Sequence, residues 1–156
     1  MDHRTLKPFP EDVDLDIELA DHFLHTASAH LHGARQAVAR ASDNHALHAT
    51  AIVIELLLKS YLLRTVADDN WNRIIIGHDL DKAATYAAIA GLKLPPHLQR
   101  AIAELHPHFM RGGFQRDPSR SWPSGFVEDA CEVAQELART FSRDGAVGTA
   151  RTPERR

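Results

Sequence analysis

From residue 44 to about 67 the chain is apolar almost all round. Leu47, Ile52, Val53, Ile54, Leu56, Leu57, Leu58, Tyr61, Leu62, Leu63 and Val66 leave no wholly polar face. A helix of that kind must be enclosed by others, which puts this segment at the centre of a bundle. Val and Ile over 51–58 also suit a strand, but "ELLLKSYLLR" carries the pattern past ordinary strand length. Upstream, a helix starts near Asp12–Asp14, whose carboxylates suit the positive end of the helix dipole, and runs to about Arg40. Leu15, Leu19, Phe23, Thr26 and His30 fall near one stripe of it, widened by Ile17, Leu24, Leu31 and Val38. "ASDN" at 41–44 is a break, with Ser42 and Asp43 as N-cap candidates.

Downstream, 67–77 reads as a connection with a short helical turn. "HDLDKAATYAAIAGL" then forms a helix with Asp79 at its cap and Gly91 just past its end. The next helix begins at Pro95–Pro96, because proline is tolerated in a first turn. Residues 111–125, with three glycines and two prolines, form a long ordered loop. A last helix at 126–143 lines up Val127, Ala130, Ala134, Leu137 and Phe141. The pattern predicts an all-α, four- to five-helix up-and-down bundle over 12–143. An N-terminal arm at 1–11 precedes it, and a disordered polar tail at 144–156 follows.

Composition narrows this little: 44% apolar, 25% charged and 6% aromatic residues are ordinary for one soluble helical domain of 156 residues. The single Cys131 excludes an internal disulfide, suits a reducing cytosol, and sits beside the apolar stripe as a core thiol. The run at 51–63 carries Glu55 and Lys59 and is too short to span a bilayer. With no leader-like segment at its start, the chain reads as cytoplasmic, with no membrane partner.

"AIVIELLLKSYLLR", followed after a short connection by "GHDLDKAATYA", resembles the central helix and next helix start of HEPN domains. The features that carry the resemblance are Glu55 and Lys59 on the apolar helix and His78-Asp79-Leu80 opening the next one. The order and lengths over 12–143 suit the whole domain. The resemblance implies a HEPN-like bundle, often a homodimer, that binds RNA or a nucleotide. Some members are metal-independent ribonucleases of toxin–antitoxin or defence systems, with an Arg-x4–6-His motif. It implies no cofactor and no metal.

Arg73–His78 and Arg100–His106 fit that motif and are the catalytic candidates; Arg40–His45 fits it too. Fourteen arginines and eleven histidines predict about three such matches by chance, so position alone distinguishes them. In such an enzyme histidine deprotonates a 2′-hydroxyl and arginine stabilises the phosphate charge. Against this, Asp79 capping a helix and a locally bonded His78 would explain the same residues. Arg111, Arg116 and Arg120 around one Asp117 make the loop a phosphate-binding candidate, with Phe114 and Trp122 available to stack on bases or to anchor the loop. Acidic residues dominate 1–22, seven against Arg4 and Lys7, an asymmetry that could steer a phosphate to the loop or meet it across a dimer. Glu55 and Lys59, four apart, either complete a buried network or line a cleft where Lys59 would contact phosphate. Glu18, His22 and His25 share a helical face, but His45 and His48 fall at the other end of that helix, so one metal site is not expected. The rival function is a non-catalytic module binding a cognate protein.

Overall fold

The computed structural model describes residues 6–110, 114 and 121–151, the last ten as backbone only. Within these the chain is all helical. The helices are α1 (Ile17–Ala39), α2 (Asp43–Thr65), the single turn α3 (Asp69–Trp71), α4 (Leu80–Ile89), α5 (Leu98–Met110) and α6 (Phe126–Arg151). A π-helical turn, Asn72–Ile76, continues α3. The bundle therefore has six α-helices where four to five were expected; the additional one is the single turn α3, which falls in the connection where a short helical turn was expected.

Helix α2 packs against α1, α4, α5 and α6. Leu47, Ile54, Leu58, Leu62 and Leu63 are fully buried along it. By length and hydropathy α2 alone among the described helices could cross a membrane, yet 78% of its apolar window is buried inside the bundle. Its continuous apolar surface is used up against neighbouring helices. Helix α6 meets it with Val127, Ala130, Ala134, Leu137 and Phe141, all buried as the periodicity predicts. Cys131 is buried beside them, and desolvation pushes its thiol upward from the ordinary value.

Helix α1 follows the expected stripe only in part: Leu31 is buried and Leu24 and Val38 pack half-buried on the core, but the rest of the buried face is alanine. Its buried positions are Ala20, Ala27, Leu31, Ala34 and Ala37, whereas Leu15 and Ile17 are 42% and 46% exposed. Small side chains let α1 lie close along α2, and the Ser60 hydroxyl donates to the Ala20 carbonyl at 2.8 Å across the seam. A stripe ranked by large apolar residues misses a face made of alanine. The helix also starts later than the acidic run suggests. Asp16 caps it, accepting from the Leu19 amide at 3.0 Å.

The reversal between α1 and α2 places Ala41 at φ 58°, with the Ser42 amide donating to the Ala37 carbonyl at 2.8 Å. That left-handed terminus usually carries glycine. Ser42 occupies the N-cap of α2 without a side-chain bond. At the far end of α4, Gly91 has φ 113°, and a Cβ there would meet the Tyr61 hydroxyl at 3.2 Å. Helix α5 begins at Leu98, not at Pro95–Pro96: the prolines form a preceding turn in which the Leu98 amide donates to the Pro95 carbonyl. A residue followed by proline avoids the α region, which delays the start. Helix α6 runs to Arg151, past the expected end at 143. Gly145 and Gly148 weaken a helix by about 1 kcal/mol each without stopping it, and proline returns only at 153. Residues 6–11 lie against the bundle, with Phe9 packed on its core.

Candidate functional site

Glu55 and Lys59 are 7% and 8% exposed, one turn apart on the most buried helix. The Lys59 ammonium donates to Glu55 Oε2 at 2.7 Å. Removing two charges from water is tolerable only when each finds a partner, and this geometry supplies one to both. The second partner of Glu55 is His78, whose Nδ1 lies 3.1 Å from Oε2 and 3.3 Å from Oε1. A carboxylate paired with a lysine can only accept, so Nδ1 is the nitrogen that donates to Glu55, and in the neutral tautomer that makes this bond Nε2 carries the lone pair. The His78 side chain is 72% exposed while the carboxylate beneath it is buried.

Local sequence explains why His78 stands there. The π turn ends at Gly77, whose φ of 58° suits a residue without Cβ, and the next helix opens with Asp79 as its N-cap, accepting from the Lys82 amide at 2.9 Å. His78 thus sits between two fixed turns, over the middle of α2. Asn72, fully buried on the π turn, donates through Nδ2 to the Lys59 carbonyl at 3.3 Å and leaves its Oδ1 unpartnered. From α5, the Phe109 ring packs edge-on to His78 at 5.8 Å, and His106 Nε2 lies 3.9 Å from Asp79 Oδ1.

The two Arg–His candidates fare differently from that trio. Arg73, on the π turn, is 68% exposed; it approaches Asp69 at 3.5 Å and donates to Asn70 at 3.4 Å, sharing no partner with His78. Arg100 and His106 do not come together. Six residues along a helix turn through 600°, about a third of a circle from alignment. Arg100 lines a cleft of 470 Å³ between α5 and α6 with Glu104, Asp129, Glu132 and Glu136, while His106 turns toward Asp79. A cleft so rich in carboxylates repels phosphate. Lys59 is engaged by Glu55. Arg111, Arg116 and Arg120 lie outside the described residues. Phe114 is buried, and Trp122 stacks on Phe126 and donates to Asn44 Oδ1 at 2.9 Å, so both rings anchor the structure around the loop.

His48 and Phe109 enter the neighbourhood without having been singled out as a contact. Their rings lie 6.1 Å apart, so Phe109 contacts both His48 and His78. The signal for this lay only in helical spacing between His106 and Phe109, which says nothing about α2. Glu18, His22 and His25 are exposed on α1, and no three His, Cys, Asp or Glu side chains among the described residues gather as a metal site.

Burial, then the nearby His45 and His30, push the His48 imidazole below its ordinary value. The fold holds it neutral, whereas the unfolded chain takes up a proton as pH falls through about 6.5. Stability is therefore expected to decline as pH drops below that value, until His48 charges in the folded state too. Urea midpoints measured from pH 7.5 to 5.0 should fall, and His48→Gln should flatten the fall; an unchanged slope would count against this origin.

Against models of protein families, curated proteins and solved structures, the chain finds no match.

Proposed function

We propose that this chain is a HEPN-like, cytoplasmic RNA- or nucleotide-binding domain, working as a homodimer in a toxin–antitoxin or defence setting. Its reacting group is His78. The observation that carries the reading is an exposed imidazole whose Nδ1 is held by a buried, lysine-paired carboxylate. Such an arrangement fixes ring and tautomer and presents Nε2 to solvent as a general base, able to take the proton of a ribose 2′-hydroxyl. The oxygen then attacks the adjacent phosphorus, the 5′-oxygen leaves with a proton, and a 2′,3′-cyclic phosphate remains. Arg73, five residues away on the adjoining turn, supports this chemistry as the guanidinium nearest in sequence for a phosphate. No metal is needed for any of these steps.

The test is cleavage of a mixed transfer-RNA and single-stranded RNA pool in EDTA. The unaltered chain is expected to cleave, His78→Ala to lose about 10²–10⁴-fold in rate, and His106→Ala to lose much less. Absence of cleavage by the unaltered chain, with no RNA or nucleotide binding, would sink the reading. One observation favours the alternative of a non-catalytic protein-binding module: Ile74, next to Arg73 in sequence, is 69% exposed, and Leu15 and Ile17 are also uncovered.

A further inference from the structure

The N-terminal arm is seated in a groove built from residues far along the chain. The Trp71 indole donates to the Pro8 carbonyl at 3.0 Å, and the Tyr86 hydroxyl donates to the Lys7 carbonyl at 2.7 Å. Between these two bonds the Phe9 ring sits 5.4 Å from Trp71 and 5.5 Å from Tyr86. Trp71 and Tyr86 meet edge-to-face at 4.9 Å and are only 9% and 3% exposed. The groove offers donors and aromatic faces. The segment offers the complement, since Pro8 and Pro10 have no N–H and carry only carbonyls. A peptide of ordinary composition would bring an amide donor at each of those positions. An aromatic-lined groove that bonds consecutive carbonyls of a proline-flanked stretch is a general mode of peptide recognition, favoured because proline lowers the entropy lost on binding.

We propose that the Trp71–Tyr86 groove is a peptide-recognition site for a proline–aromatic–proline segment, filled in cis by the chain's own residues Lys7–Pro10. A protein partner that binds this face presents the same chemistry, two consecutive free carbonyls followed by an aromatic side chain between prolines, and must displace the arm. The groove adjoins the turn that carries Arg73, because Trp71 is the residue before Asn72–Ile76. The inference does not depend on catalysis at His78.

The probe is a fluorescently labelled hexapeptide of residues 6–11, LKPFPE, followed by anisotropy against full-length chains. The tethered arm competes at an effective concentration of order millimolar, so the unaltered chain binds the probe weakly. Phe9→Ala empties the aromatic part of the groove. This variant is expected to bind LKPFPE saturably and at least about tenfold more tightly than the unaltered chain. The peptide LKPAPE should not bind it. Adding Tyr86→Phe removes one donor and should weaken binding by about fivefold. Circular dichroism checks that each variant keeps its helices, and Phe9→Leu, which retains an apolar side chain, replaces Phe9→Ala if that variant does not. Equal binding to altered and unaltered chains, no saturable binding to either, or equal binding of LKPAPE would overturn the proposal.

Discussion

Lys59→Ala is expected to destabilise the protein by about 3–5 kcal/mol, because it leaves the Glu55 carboxylate buried without its closest cation. His78 remains as a partner through Nδ1, but its side chain is 72% exposed and does not replace the buried ammonium. Removing both ions at once is different in kind. Glu55→Leu with Lys59→Met replaces the pair by side chains of similar volume, and this double variant should recover most of the lost stability or exceed the starting value. It should still lose whatever His78 does, since the imidazole then has nothing to hold it. Urea unfolding of Glu55→Leu, Lys59→Met and the double variant measures the coupling. A cost for Lys59→Ala below about 1 kcal/mol would mean that the pair is solvated like a surface ion pair.

Leu58→Ala is expected to cost about 2–5 kcal/mol. Leu58 is fully buried on α2, the helix that four others enclose, so a cavity there has no single loop that can collapse into it. Leu15→Ala provides the contrast. Leu15 is 42% exposed, and its loss should change stability by no more than about 0.5 kcal/mol. Equal costs at the two positions would contradict the packing described here.

The candidate site was legible in pieces. That Glu55 and Lys59 form a charged pair on an apolar helix follows from their spacing alone, and so does the requirement that a buried pair have further partners. The identity of one such partner, His78, comes from a turn twenty-odd residues later, whose path no periodicity specifies. The motif search pointed to His78, but with Arg73 as its companion and Arg100–His106 as a second pair, and it gave no sign that Glu55 lies beneath the imidazole. On a helix the spacing of that second pair already separates the faces of Arg100 and His106, but only the packing decides what each face meets: the α5/α6 cleft for Arg100 and Asp79 for His106.

The sequence by itself determined the helical class, the central place of α2, the cap at Asp79, the stop at Gly91 and the buried face of α6. These are local matters. Each depends on residues within a few turns, on 3.6-residue periodicity, on a side chain reaching its own backbone, or on a φ that only some residues adopt easily. Tertiary structure alone decided the alanine face of α1, where the partner helix selects small residues that hydrophobicity scales rank low. It also decided the seating of the arm between Trp71 and Tyr86, and the union of Glu55 with His78. In each case the interaction joins segments that sequence separates. Which of many apolar or polar residues become neighbours is then settled by how the helices pack together.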